Sequence, residues 1–305
     1  MTARRIRFAL ERLAFAVALR LARVLPRSVL RWVGRTLGSI AYGIDGRHRR
    51  IAIDNIRLAY GSALGDREAR RITLACWRHF GGVLLETLAF PTFSAASVDR
   101  DVRFRGLEHV RTAYASGRGV LLFSGHFGHW ELVAMMQGHL GLPLSLVTRP
   151  LDNRGLERML ADLRGCSGNT IIHKRNAVRE MVRTLRAGGG VAIMIDQDAR
   201  SEGVFVPFFG RLASTTPTVA LLAVRTGAVI VPVFSAPGKD GVWEVTYEPA
   251  VEVRDAPDRD AEVLRLTAAC TAILERWVRA YPEIWLWMHR RWKTRPSDGP
   301  ASASD

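Results

Sequence analysis

The chain has 305 residues, of which 48% are hydrophobic and 24% charged, and its formal net charge is +15 at pH 7. That length and apolar content suffice for one large domain or a domain with an appendage, and three cysteines without CxxC or Cys/His spacing argue against a disulfide framework or a structural zinc. The excess of cations, nearly all arginine, calls for an anionic partner: nucleic acid, an acidic carrier protein or anionic lipid.

Near its start the chain reads IRFALERLAFAVALRLARVL, residues 6–25. Its uncharged run, Leu13 to Leu19, is far shorter than the roughly 20 apolar residues a spanning helix needs. Arg20 and Arg23 stand where a signal peptidase would require small residues. The segment reads instead as a helix stopping before Pro26, with Leu10, Leu13, Val17, Leu21 and Val24 in one stripe and Arg5, Arg12, Arg20 and Arg23 gathered elsewhere. Such a helix suits the headgroup layer of a membrane; docking on the protein's own core is the alternative. A second apolar stretch, Val29 to Ile44, ends in Arg47, His48, Arg49 and Arg50 and strengthens the membrane-surface reading.

Residues 65–93 continue as helix, with Trp77, Phe80, Val83 and Leu84 on the apolar side, and Pro91 to Asp101 reads as a connection. From there strands and helices alternate. Strands are expected at 119–124, 144–148, 169–172, 190–196, 228–234 and 242–253. Helices are expected at 129–140, 153–164, 176–187, 216–226 and 259–280. Short apolar strands separated by helices imply an α/β fold, a mostly parallel central sheet flanked by helices, here preceded by the amphipathic helical membrane-associating region. The expected organisation is residues 1–60 for membrane association, 61–293 for the α/β domain, and a disordered tail at 294–305.

Function in such sheets sits in loops at the carboxyl ends of strands. The first of these loops reads SGHFGHWELV, from Ser124 to Val133. On a continuous helix, five residues would place His126 and Glu131 about 140° apart, so they meet only if the chain turns between them. Gly125 and Gly128 permit that turn. A carboxylate on one imidazole nitrogen leaves the other as a general base. With no GxSxG elbow, direct attack by an acceptor hydroxyl is favoured over an acyl-enzyme. A helix-capping pair and a zinc site on His126 and His129 are the competing readings of the same residues.

Motifs along the chain then resemble one family. SGHFGHWE is similar to the HX4D/E motif of the bacterial lipid A late acyltransferases. IAIDNIRLAYG (51–61), TRPLDN (148–153), DLRGCSGN (162–169), MIDQDAR (194–200), GVFVPFFGRLASTTP (203–217) and PEIWLWMHRRWKTRP (282–296) resemble its further conserved segments in order. His129 stands where Asn is common in the family, and Ala199-Arg200 where a glycine is frequent. The resemblance implies an acyltransferase in which His126 and Glu131 form the catalytic dyad and Arg164 binds the oxyanion or a phosphate. It implies an acyl carrier protein or acyl-coenzyme A as donor, a lipid A precursor as acceptor, and the cytoplasmic face of the cell inner membrane as the location.

The remaining candidates keep two readings each. Asp196 and Asp198 follow a buried strand and either position Arg164 or the acceptor, or cap a solvated loop. Arg149 and Arg164 either bind acceptor phosphates or make surface pairs. Phe205, Phe208 and Phe209 either line an acyl channel or fill the core. The basic and aromatic cluster His289 to Lys293 either anchors at an interface or docks the terminus onto the fold. Thioester-to-ester transfer requires no metal, and no cofactor is expected. Another glycolipid or lysolipid acceptor, such as a phosphatidylinositol mannoside, would keep the chemistry. A nucleic-acid-binding protein is the rival from another class, and no recognised module supports it.

Overall fold

A computed structural model describes residues 3–94, 96, 98, 102–148, 150–173 and 177–296. Residues 297–305 of the expected tail lie outside the described residues, as does Arg149.

The chain opens with four helices: α1 (Ala3–Val24), α2 (Arg27–Ile44), α3 (Gly46–Tyr60) and α4 (Asp66–Thr87). It then alternates: β1 (Val102–Arg105), α5 (Leu107–Ala115), β2 (Val120–Ser124), α6 (Trp130–His139), β3 (Leu144–Thr148), α7 (Arg154–Gly165), β4 (Thr170–His173), α8 (Ala177–Arg186) and β5 (Gly190–Met194). A hairpin, β6 (Val204–Phe208) and β7 (Arg211–Thr215), leads to α9 (Thr218–Thr226), β8 (Val229–Pro237), β9 (Trp243–Tyr247) and α10 (Arg259–Ala280).

Among the described residues, seven strands form one sheet in the order β1-β9-β8-β2-β5-β3-β4. β8, β2, β5, β3 and β4 run parallel; β9 is antiparallel to β8, and β1 runs parallel with β9. The α/β class with a mostly parallel sheet therefore holds. β2 is buried along its whole length, which is why its sequence is continuously apolar rather than alternating. One sheet face packs on α8, α9, α10, α3 and α4, and the other on α5, α6 and α7 with parts of α1 and α2. β1, α5 and the β6–β7 hairpin were not expected. VRFR is short and highly charged, and Pro207 disguises β6, which pairs only with its own hairpin partner.

α2 and α4 cross almost backbone to backbone. A Cβ on Gly34 would stand 2.3 Å from the Gly81 carbonyl oxygen, and one on Gly38 would stand 2.2 Å from that of Trp77. Only glycine permits that approach. α1 docks on the start of α7, where the Asn153 side chain donates to the Phe8 carbonyl at 3.0 Å and to Glu11 at 2.9 Å. The two faces of α1 differ in their surroundings. Phe15, Ala18, Leu19 and Ala22 pack inward, while Ile6, Leu10, Leu13, Val17, Leu21 and Val24 are exposed in one stripe. α2 adds exposed Trp32, Leu37, Ile40 and Ile44. Among the described residues, no helix is long and apolar enough to cross a membrane.

Candidate active site

β2 and β5 are neighbours in parallel register, Ser124 level with Met194. Two residues beyond each strand lie His126 and Asp196, so the topology itself brings them together. Asp196 is buried, and its Oδ1 is 2.8 Å from His126 Nδ1. Its Oδ2 accepts the main-chain N–H of His126 at 2.6 Å and the indole N–H of Trp285 at 2.9 Å. A Cβ at residue 125 would lie 2.9 Å from Leu274 Cδ1 and 3.0 Å from Asp196 Oδ2, so glycine eases the close approach of the carboxylate. No hydrogen bond among the described residues engages His126 Nε2, and the ring borders the main cavity.

The carboxylate that orients His126 is therefore Asp196, not Glu131. The expectation placed Glu131 correctly in the first turn of α6, after a turn at Gly128 with φ +59°, but not its partner. Both Glu131 oxygens are taken by Arg164: Nε lies 3.2 and 3.0 Å from Oε1 and Oε2, and Nη2 lies 2.6 Å from Oε1. A planar guanidinium matches a carboxylate in this forked way. Glu131 still acts on His126 through space, adding to the attraction that favours the imidazolium.

Burial opposes charging His126, but Asp196's charge and hydrogen bond, helped by Glu131, outweigh it and raise its pKa above the ordinary value. Burial pushes the Asp196 carboxyl up; the His126 charge, the two His126 hydrogen bonds and the Trp285 bond override this and hold it at about 2. The pair is thus a carboxylate fixing an imidazole, the arrangement of a general base.

The cavity, about 490 Å³, lies between the β2–β5–β3 face and α6 and α7. It falls within the roughly 300–1,000 Å³ of small-molecule sites. His126, Glu131 and Arg164 line its polar side; Leu122, Leu144, Leu146 and Leu160 are among its apolar walls.

The other candidates separate. Neither Asp196 nor Asp198 touches Arg164. Asp198 accepts from the Thr294 hydroxyl at 2.9 Å, and its N–H donates to His289 Nε2 at 2.8 Å, so it ties down the terminus. Phe208 and Phe209 pack in the core away from the cavity, with Trp285, Trp287 and Tyr60. His129 caps α6, accepting from Leu132 N–H at 3.3 Å, and stacks on Phe90; it does not converge with His126 on a shared metal position. Arg291 is fully buried, donating to the Ser214 carbonyl at 2.7 Å and to Thr215 at 2.5 Å, which favours docking of the terminus.

Trp285 has no local signature in the sequence, because 89 residues separate it from Asp196. Its segment clamps the loop: Leu286 N–H donates to the His126 carbonyl at 3.0 Å, and Gly128 N–H to the Ile284 carbonyl at 2.8 Å.

The family model for bacterial lipid A biosynthesis acyltransferase matches residues 3–294. The lipid A biosynthesis lauroyltransferase of Escherichia coli K12 is 30% identical over 280 residues, covering 91% of this chain and 89% of the relative. The palmitoleoyltransferase of the same strain is 28% identical, covering 89% and 87%. A phosphatidylinositol mannoside acyltransferase of Mycolicibacterium smegmatis is 24% identical over 220 residues, covering 70% and 69%. A crystal structure of the 1-acyl-sn-glycerophosphate acyltransferase of Thermotoga maritima aligns with a TM-score of 0.36 at 14% identity, covering 84% of this chain and 97% of that one.

Proposed function

Because the chain belongs to the bacterial lipid A biosynthesis acyltransferases and is itself an acyltransferase, we propose that it transfers a fatty acyl group from a carrier thioester to a hydroxyl of a lipid A precursor without an acyl-enzyme. His126 Nε2 takes the proton of the acceptor hydroxyl, and the resulting oxygen attacks the thioester carbonyl. Asp196 holds Nδ1–H and stabilises the imidazolium. The tetrahedral oxyanion meets Arg164, whose Nε and one N–H of Nη2 are engaged by Glu131, leaving Nη1 and the other Nη2 hydrogen as donors. Collapse expels the thiolate, which recovers the proton from His126. Glu131 acts here by fixing Arg164, and only through space on His126.

The observation that carries this reading is the buried Asp196–His126 pair set at the rim of a hydrocarbon-walled cavity. The net charge of +15 suits an acidic acyl carrier protein as donor, and acyl-coenzyme A is the other candidate. The exposed apolar stripe of α1, flanked by exposed Arg4, Arg5, Arg20 and Arg23, suits a peripheral seat on the anionic cytoplasmic face of the inner membrane.

The test is incubation of purified protein with acyl carrier thioesters and a lipid A precursor, read by mass analysis of the lipids. A product heavier by one acyl group, absent with His126→Ala, is expected; undiminished transfer by His126→Ala would refute the mechanism. The mannoside relatives favour a second acceptor, and a phosphatidylinositol mannoside in the same assay discriminates the two.

A further inference from the structure

The basic and aromatic run from His289 to Lys293 divides on folding. Arg291 turns inward onto Ser214 and Thr215, and Trp292 onto Phe208. Arg290 and Lys293 stay exposed, as does Arg295 just beyond them. Arg200, on the loop after β5, is exposed too. Its loop and the carboxyl-terminal segment are stitched together. Asp198 N–H donates to His289 Nε2 at 2.8 Å, and the Thr294 hydroxyl donates to Asp198 at 2.9 Å. Ser214 accepts from Arg291 at 2.7 Å and donates to the Arg200 carbonyl at 2.7 Å. Among the described residues, no hydrogen bond or ion pair engages the side chains of Arg200, Arg290, Lys293 and Arg295. Residues 196–202 and 289–295 carry one exposed carboxylate between them, Glu202.

This cationic rim is built onto the site. Arg200 is four residues from Asp196, which holds His126, and Arg290 is four residues from Leu286, which donates to the His126 carbonyl. Four residues span at most ~14 Å. Lys293 and Arg295 flank Thr294, which is bonded to Asp198, two residues from Asp196. None of the four cations lines the cavity beside His126, so they face a partner that stays outside while its acyl chain enters. Neither segment exposes a large apolar side chain, as a surface dipping into a bilayer would. The apolar stripe of α1 belongs to a helix packed with the core on one sheet face, whereas Trp285, Trp287 and Trp292 pack with the core on the other.

We propose that Arg200, Arg290, Lys293 and Arg295 form the docking surface for an acidic carrier protein that presents the acyl thioester to His126. The proposal rests on the acyl-transfer reading of the site. A carrier's pantetheine arm of about fifteen bonds reaches ~19 Å at ~1.3 Å per bond, enough to pass from this rim to the base. Complementary charge speeds such an encounter, and salt screens it over a Debye length of ~10 Å at 0.1 M.

The experiment measures binding of a fluorescently labelled, acyl-loaded carrier protein to the full-length protein by anisotropy, with transfer kinetics alongside. Arg290→Glu/Lys293→Glu should raise both Kd and KM for the carrier at least tenfold, leave kcat within about twofold, and flatten the salt dependence. The milder Arg290→Gln/Lys293→Gln should raise Kd severalfold. Arg118→Glu/Arg225→Glu makes the same change of net charge at exposed positions next to the amino ends of β2 and β8, and should leave Kd within twofold. Binding to phosphatidylglycerol vesicles should be the same in all of them. The proposal is overturned if both folded rim variants keep the wild-type Kd, or if the amino-edge variant weakens carrier binding equally. It is likewise overturned if the rim variants lose vesicle binding instead of carrier binding, or if the KM for acyl-coenzyme A rises as much as that for the carrier. Failure of the acyl-transfer reading looks different: undiminished transfer by His126→Ala, whatever binds at the rim.

Discussion

Replacing Asp196 by Asn tests which carboxylate works with His126. An asparagine keeps an oxygen where Oδ2 now accepts from the His126 main chain and from Trp285, so the loop remains folded. It puts an amide N–H₂ where Oδ1 now faces Nδ1 at 2.8 Å. A donor there forces Nδ1 to accept, which moves the ring proton to Nε2, the nitrogen that must be bare to act as a base. The same exchange in a Ser–His–Asp triad costs about 10⁴ in kcat. On that precedent Asp196→Asn should lose roughly 10³- to 10⁴-fold in kcat, about 4 to 5.5 kcal/mol of barrier, with KM little changed. Initial rates of transfer from an acyl carrier thioester, at saturating acceptor, measure it.

Stability supplies a second reading of the same substitution. The Asp196 pKa is depressed to about 2, so its contribution is present above the unfolded value near 4 and is lost as pH falls toward 2. Denaturant melts of the wild type should weaken across that window, and Asp196→Asn should lack this component. The reasoning is refuted if Asp196→Asn retains kcat within tenfold of wild type while Glu131→Gln abolishes it. Glu131 would then be the carboxylate that orients the base.

Three further outcomes follow from the same geometry. Because the His126 pKa is raised, the acid limb of kcat/KM should lie above 6.5, with activity rising with pH through it; the share of stability due to protonated His126 runs the other way, present below 6.5 and lost as pH rises through the folded value. A limb below 6.5 in a pH–rate profile would contradict the Asp196 attraction. Trp285→Phe removes one donor from Asp196 while keeping a ring in place, making the carboxylate more basic. It should lower kcat about tenfold and move the acid limb upward, whereas Trp287→Phe, whose indole binds the Pro282 carbonyl at 2.7 Å, should leave the limb in place. Gly81→Ala would set a Cβ 2.1 Å from the Gly34 carbonyl oxygen and push α2 off α4. It should cost about 3 kcal/mol, seen as a lower denaturant midpoint, and an unchanged midpoint would show that the helices give way freely.

Much of this protein could be read from its residues in order. Runs such as GVLLFS and AVIVPVF, broken by helical segments at regular spacing, are enough to specify a buried parallel sheet, because strands covered on both faces must be apolar at every position. The loop after the first such run also stood out, since two glycines around His126 serve a turn and little else. Elements with charged or proline-containing strands, β1 and β6, gave no such pattern, because they lie at an edge or in a separate hairpin.

What the linear order could not contain was who meets whom. Glu131, five residues from His126, is the partner that local spacing suggests; Asp196 is 70 residues away and holds it. Local spacing constrains only the directions along one helix or loop, whereas strand pairing brings the ends of β2 and β5 side by side whatever their separation in the chain. The same holds for Arg164, 33 residues from the Glu131 it engages, and for Trp285 on Asp196. Residue types and strand periodicity determined the fold and the histidine; the sheet's register and the packing of its helices decided the histidine's partner and the shape of the cavity it serves.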